Sequence, residues 1–110
     1  MKLTDLEAHF ARITKPGHYE TVDELADAHG VWMLCPKCFT ANGGSVGTHW
    51  VLCWFSGRGV PDSEEPGPGR WSPQGTGLHD LTLVAGSSSV LLTSGCRAHF
   101  FVRNGEIVNC

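Results

Sequence analysis

Two short motifs constrain the fold of this chain more than any other feature. Cys35-x-x-Cys38 and Cys96-x-x-His99 each place two metal-binding side chains three positions apart. That spacing lets both side chains of a pair reach one ion from a single tight turn, and three cysteines with one histidine form a tetrahedral zinc set. Because 57 residues separate the two pairs, a shared ion would join distant parts of the chain. The motifs therefore predict a structural zinc site at Cys35, Cys38, Cys96 and His99.

Length and charge narrow the function classes. At 110 residues, the chain is expected to form one domain with a modest core that a metal supplements. Eight basic residues against eleven acidic ones give a formal charge of -3, which argues against a nucleic-acid surface built on bulk positive charge. Five cysteines, an odd number, together with a start that lacks a secretory profile, favour reduced thiols and a cytoplasmic location. The longest apolar run, residues 50–55, is far shorter than a membrane helix, so no membrane association is expected.

Apolar residues at helical spacing predict that the chain begins with helices. Thr4 and Glu7 form a capping-box pattern and Lys15-Pro16-Gly17 is a stop signal, so a first helix is expected over residues 4–14. A second short helix is expected from Thr21 to Gly30. The apolar stripe of the first helix consists of Leu3, Leu6, Phe10 and Ile13. Residues 1–30 are thus predicted to form an N-terminal helical segment.

Residues 31–110 are predicted to form a zinc-binding β domain. Residues 31–34 resemble a strand that leads into the first cysteine pair, and residues 48–55 a central strand that is apolar on both faces. Asn104-Gly105 is the strongest short hairpin signal in the chain. The expected fold class is α+β and mostly β. It would be a small antiparallel, zinc-stabilised sheet of β-tent or zinc-ribbon type, with the helical segment included in one compact domain.

A long segment rich in glycine and proline, residues 56–77, interrupts the β pattern. Loops of this length inside a small domain are usually functional or disordered, so this segment is expected to carry a functional surface. Exposed tryptophans, arginines and histidines are suited to binding a partner. The candidate binding-surface residues are Trp50, Trp54, Arg70, Trp71, His49 and His79.

The C-terminal sequence over residues 95–107, with the upstream Cys35-Pro36-Lys37-Cys38 and the segment 87–90, resembles a family of small uncharacterised phage and prophage proteins. Members of that family pair a Cys-x-x-Cys-like knuckle with a terminal Cys-x-x-His-Phe-Phe hairpin. The similarity runs from about Val31 to the C-terminus. It implies a zinc site and a phage-related origin, and it brings no established activity.

A second resemblance is architectural. Two cysteine-containing pairs separated by strands that carry tryptophans look like the β-tent folds of cereblon-type ligand-binding domains and Yippee proteins. Those folds use two Cys-x-x-Cys pairs, whereas the second pair here ends in His99. The resemblance implies that Trp50, Trp54 and Trp71 are candidates for an aromatic cage.

A hydrolase is the enzymatic alternative. His49 or His79, Asp80 and the serines at 87–89 offer the groups of a Ser-His-Asp triad, although no Gly-x-Ser-x-Gly elbow accompanies them. A zinc ion with one protein ligand replaced by water could instead use His49 or Glu106 as general base. No His-Glu-x-x-His motif supports that version.

A redox role is the alternative for the first cysteine pair. Cys35 and Cys38 have thioredoxin-like spacing, but that chemistry requires the pair at the start of a helix after a strand. The glycine-rich sequence after Cys38 does not favour a helix. The preferred interpretation is therefore a phage-related zinc protein, not an enzyme, that acts as an interaction module on a host or viral protein.

Overall fold

Nine β-strands form three antiparallel sheets in the computed structural model, which describes residues 1–66, 69–85, 89–92 and 95–109. The first sheet has the order β2-β1-β3-β4, the second pairs β5 with β6, and the third has the order β7-β8-β9. The strands are β1 (His9–Lys15), β2 (His18–Val22), β3 (Gly30–Leu34), β4 (Trp50–Trp54), β5 (Ser72–Gln74), β6 (Thr82–Val84), β7 (Ser89–Leu91), β8 (His99–Arg103) and β9 (Glu106–Asn109). One α-helix, α1 (Pro36–Asn42), and two 3-10 helices, Leu3–Leu6 and Leu25–Asp27, complete these elements. The prediction of a mostly β, antiparallel protein is confirmed.

The predicted N-terminal helix over residues 4–14 is wrong. Only Leu3–Leu6 is helical, as a single 3-10 turn that ends at Glu7 in the left-handed region (φ 53°), and β1 then begins. The backbone groups of β1 pair on one side with β2 and on the other with β3. The spacing of apolar residues within β1 does not reveal these partner strands. The pairing with them stabilises the strand more than the weak helical preference of the sequence stabilises a helix. Lys15-Pro16-Gly17 closes the β1–β2 hairpin and does not end a helix.

The second predicted helix, from Thr21 to Gly30, is also wrong over most of its length. Thr21 belongs to β2, Leu25–Asp27 forms a short 3-10 turn, and Gly30 begins β3. Since β1 pairs with β3, the strands β1 and β2 are built into the first sheet together with the strands that follow, whereas Lys2 forms an isolated bridge with Glu106 of β9.

The core lies between the three sheets. Strand alternation points Phe10, Val31 and Met33 of the first sheet inward, where they pack in one cluster with Leu83 of β6 and Phe100 of β8. All five side chains are buried. Cys53 of β4 is buried in the same cluster, as expected for a free cysteine that acts as a small apolar residue. This complete burial raises the pKa of Cys53 to about 12.

The glycine- and proline-rich segment is fastened to the fold through backbone carbonyls. Arg58 donates to the carbonyl oxygens of Leu25 and Ala28 at 3.0 and 2.7 Å. Arg70 donates to four carbonyls, those of Pro61, Glu64, Pro66 and Gly69, at 2.8 to 3.0 Å. Gly67 and Pro68 lie outside the described residues. The described part of the segment contacts the end of β4, where the Trp71 N–H donates to the Trp54 carbonyl at 3.1 Å and the Trp54 indole donates to the Glu65 carbonyl at 2.8 Å.

The predicted Asn-Gly turn is confirmed at the hairpin between β8 and β9. Asn104 and Gly105 both have positive φ, 49° and 73°, which favours the type I′ turn that matches strand twist. The Gly105 N–H donates to the Leu81 carbonyl at 2.9 Å. Its Cα hydrogen faces the His79 carbonyl so closely that a Cβ would overlap it. No helix within the described ranges is long and apolar enough to cross a membrane.

We expect Gly105→Ala to destabilise the protein far more than Gly17→Ala. Both glycines have nearly the same positive φ, and a Cβ at Gly17 meets nothing within 4 Å. In each variant, the alanine must adopt the left-handed conformation, and this strain lowers the free energy of unfolding by about 1 to 2 kcal/mol. In Gly105→Ala, the overlap with His79 lowers the free energy of unfolding by a further amount of about 1 to 3 kcal/mol. Urea unfolding of both variants measures the difference, and equal midpoints would contradict the packing described for Gly105.

Candidate metal centre

Three cysteine thiols and one histidine ring converge at one point of the structure. The group consists of Cys35, Cys38, His49 and Cys96, whose ligand atoms all lie within 4.8 Å of one another. The Sγ atoms of Cys35 and Cys96 are 3.6 Å apart, and His49 Nε2 is 3.4 Å from Cys96 Sγ. Cys35 is buried, Cys38 and Cys96 are half-buried, and His49 is exposed. We call these four residues the Cys3His cluster.

The first two ligands are placed by the junction of β3 with α1. Cys35 follows the last residue of β3 and is the N-cap of α1, and Pro36 occupies the first helical turn, where its missing N–H costs nothing. Cys38 lies three residues further on, so both thiols come from one tight turn. The Phe39 N–H donates to the Cys35 carbonyl at 2.8 Å and closes that turn. The expectation that no helix follows Cys38 is wrong, since α1 continues to Asn42 and ends at Gly43 with φ 69°.

The register of β3 and β4 brings His49 to the cluster. Leu34, at the end of β3, pairs with Trp50, at the start of β4, and the Cys35 N–H donates to the His49 carbonyl at 2.9 Å. With its proton on Nδ1, His49 donates to the Trp50 carbonyl at 3.3 Å. Nε2 is then left with a lone pair directed at the cysteines, which is the arrangement that metal-bound histidines commonly use.

Cys96 reaches the cluster from the connection between β7 and β8. The Lys37 ammonium donates to the Cys96 carbonyl at 2.7 Å and ties this connection to the first turn of α1. The Leu92 N–H donates to the Ala98 carbonyl at 2.9 Å, and this hydrogen bond joins the two ends of the connection that carries Cys96. The cluster therefore joins the first sheet to the third.

The fourth member of the cluster differs from the predicted ligand His99. Ala98 and Phe100 are buried, and β8 begins at His99, so strand alternation turns the His99 side chain away from the core to an exposed position. Its ring centroid lies 6.5 Å from that of Phe101. A Cys-x-x-His pair converges on one ion only when the chain turns tightly, and here it is extended beyond Ala98.

The distances within the Cys3His cluster fit zinc. Tetrahedral zinc, with bonds of about 2.3 Å to sulfur and about 2.0 Å to nitrogen, sets sulfurs about 3.8 Å apart and sulfur about 3.5 Å from nitrogen. The observed separations of 3.6 Å and 3.4 Å are close to these values. A disulfide would require about 2.05 Å between sulfurs. The cluster could hold a metal ion such as zinc.

The thiols of the cluster differ in acidity. Without a metal ion and with the proton on Nε2 instead of Nδ1, His49 donates a hydrogen bond to Cys96 Sγ, which lowers the pKa of Cys96 to about 6 against the opposing effect of burial. Burial, followed by hydrogen bonding with Cys96, raises the pKa of Cys38 to about 11. Cys96 therefore loses its proton the more easily of the two, and a bound cation would remove the proton of Cys38 as it coordinates.

Two of the other candidate binding residues are neighbours in the structure, because the Trp71 N–H donates to the Trp54 carbonyl at 3.1 Å. Trp50 is 43 % exposed, whereas Trp54 is fully buried and donates from Nε1 to the Glu65 carbonyl at 2.8 Å. Trp71 is half-buried against the core cluster, and the guanidinium of Arg70 is occupied by the four backbone carbonyls. Trp50 makes its ring contacts with His9 and Trp32, and Trp54 makes its ring contact with Tyr19. The aromatic cage of Trp50, Trp54 and Trp71 stays a prediction.

The proposed triad residues have other surroundings. His79 is exposed, with Nε2 4.0 Å from the Asp80 carboxylate. Asp80 accepts hydrogen bonds from the backbone N–H groups of Thr76 and Gly77, both at 2.9 Å, and these bonds lower its pKa to about 2. Asp80 thus closes its own turn. Ser87 and Ser88 lie outside the described residues, and Ser89 begins β7.

No protein-family model, curated protein or solved structure matches this chain significantly. The resemblances to phage proteins and to β-tent folds therefore stay predictions. The chain is a small antiparallel β protein with one short helix and a Cys3His cluster.

We expect His49→Ala to weaken zinc binding strongly and His99→Ala to leave it almost unchanged. His49 supplies a ligand atom of the Cys3His cluster, whereas His99 lies outside it. Loss of the ligand should lower zinc affinity by at least about 100-fold, since even indirect contacts are worth about 10- to 100-fold. Competition with a chromogenic chelator measures both variants. A larger loss in His99→Ala would contradict this assignment and restore the predicted ligand set.

Proposed function

We propose that this chain is a small zinc protein of phage-related origin, acting in the cytoplasm as an interaction module on a host or viral protein. One observation carries the zinc assignment: three cysteines and one histidine, a ligand set that tetrahedral zinc commonly takes, bring their ligand atoms within 4.8 Å of one another. A complete set leaves no position for water or substrate, which is typical of structural zinc. The metal would hold the fold together, and function would come from the surface.

The origin of the ligands supports a structural ion. The β3–α1 junction, the residue before β4 and the β7–β8 connection all contribute, so one ion would fasten the first sheet to the third. Structural zinc contributes on the order of 10 kcal/mol to folding. A domain of this size is stable by about 5 to 15 kcal/mol in total. Removal of the ion would therefore leave little net stability.

The aromatic surface of the first sheet is the best candidate for partner binding. His9, Tyr19, Trp32 and Trp50 form a continuous chain of ring contacts, with centroids 5.6 to 6.3 Å apart. Trp50 is 43 % and Tyr19 36 % exposed, and Trp32 is half-buried. Tryptophan and tyrosine supply most of the binding energy at protein interfaces. We call these four residues the aromatic surface.

The alternative of a zinc hydrolase rests on one observation, the exposure of His49. If this ligand were replaced by water, zinc could activate the water for hydrolysis. His49 would then have to leave the ion before serving as general base. Glu106, the other proposed base, pairs in register with Arg103 in the terminal hairpin.

Cobalt substitution separates the two proposals. With four protein ligands bound, the tetrahedral cobalt spectrum should not change when azide or imidazole is added. A spectrum that shifts saturably with these ligands would reveal an open position and favour the hydrolase. His49→Ala is the positive control, because loss of this ligand opens a position that azide or imidazole can occupy.

We expect purified protein to contain one zinc ion per chain and to lose its cooperative melt when the ion is chelated. Cys96→Ser should abolish both the bound zinc and the cooperative melt, because it removes a ligand that joins the third sheet to the first. Cys53→Ala is the matched control: it removes a buried thiol outside the cluster, should cost about 1 kcal/mol, and should keep one zinc per chain. Wild-type melting of metal-free protein would contradict the structural role.

We expect Trp50→Ala to weaken binding to a partner captured with the wild-type protein and then purified, by on the order of 10-fold or more. Val46→Ala is the control, because Val46 is an isolated exposed apolar residue that makes none of the ring contacts. Both variants should keep zinc and melt normally. Equal direct binding by wild type and Trp50→Ala would place the interaction elsewhere on the protein.

A further inference from the structure

A pocket with a basic lining lies beside the Cys3His cluster. Its volume is about 400 Å³, enough for a small organic ligand. Lys37, Arg97 and His99 contribute basic side chains, and Thr40 and Asn109 contribute neutral polar groups. Among the described residues that line this pocket, none is Asp or Glu. On a chain with net charge -3, this is a local reversal of charge.

Arg97 differs from the arginines that the fold uses internally. Arg58 and Arg70 are held by backbone carbonyls, and the guanidinium of Arg103 lies 4.1 Å from the centroid of the Phe101 ring. Arg97 is exposed, and its guanidinium has no hydrogen bond or ion pair with any residue in the described ranges. Its planar fork is therefore available to a ligand.

Lys37 is fixed in position but still has free donors. One of its three ammonium N–H groups bonds to the Cys96 carbonyl at 2.7 Å, which leaves two for a ligand. His99 also lines this pocket, which gives the histidine of the Cys96-x-x-His99 motif a place other than the cluster. Lys37 lies between the two cysteines of the first motif, and Arg97 directly follows Cys96.

We propose that this pocket binds an anionic oxygen group of a small molecule, a phosphate monoester or a carboxylate, held by Arg97 and Lys37. A guanidinium matches two oxygens of such a group with parallel hydrogen bonds, and the ammonium adds a point charge. Thr40 and Asn109 line the space that the rest of the ligand would occupy. This site goes beyond the proposed interaction module, since it would recognise a small ligand.

Titration of zinc-loaded protein with phenyl phosphate and, separately, with benzoate tests the proposal. Amide NMR shifts should change saturably below ~10 mM, which corresponds to a weak but specific site. The shifts should be confined to residues 37–40, 97–100 and 109. Tighter binding of phenyl phosphate identifies a phosphate site, and tighter binding of benzoate identifies a carboxylate site. No saturable shift with either probe would overturn the proposal.

Two variants separate a built site from general charge attraction. Arg97→Gln should weaken binding by about 10-fold or more, the effect expected when a charged partner is lost. Arg103→Gln removes the same charge from an arginine outside the pocket lining and should change binding less than about 2-fold. Equal losses in the two variants would overturn the proposal. If Arg97→Gln does not fold, the wild-type titration alone tests the proposal: saturable shifts confined to the pocket support it, and shifts spread over the surface overturn it.

Discussion

The convergence of three thiols and one imidazole is the contact through which the proposed ion would fix the arrangement of the sheets. Cys35 and Cys38 belong to the first sheet and its helix, His49 to the start of β4, and Cys96 to the connection within the third sheet. Without a cation, this convergence gathers polar groups at the edge of the core with only weak hydrogen bonds between them. With a cation, the same groups become a cross-link between segments separated by as many as 61 residues.

The sequence predicts the part of the site that local spacing determines. Cys35 and Cys38 are three residues apart, and a turn suffices to bring their thiols together, whatever the rest of the fold does. The choice between His49 and His99 depends on which strands pair. His49 reaches the cluster because Leu34 pairs with Trp50 across β3 and β4, a register that becomes visible only when the two strands are recognised as antiparallel neighbours.

The N-terminal strands show the same limit on a larger scale. Leu3, Leu6 and Phe10 are all buried, as an apolar helical stripe would be, but Phe10 is buried from a strand. The hydrogen bonds that make β1 a strand come from β2, which follows it directly in the chain, and from β3, about twenty residues further along. The Asn104-Gly105 turn was predictable because its conformation depends on those two residues alone.

Both proposed surfaces depend on the cluster through chain connectivity. Trp50 of the aromatic surface follows His49 directly, Lys37 lies between Cys35 and Cys38, and Arg97 follows Cys96. Neighbouring Cα atoms are fixed at about 3.8 Å, so a ligand held by an ion holds its neighbour as well. A metal that never touches a partner would therefore still determine how the aromatic surface and the basic pocket are presented. If both proposals hold, removal of the ion is expected to weaken binding at both places.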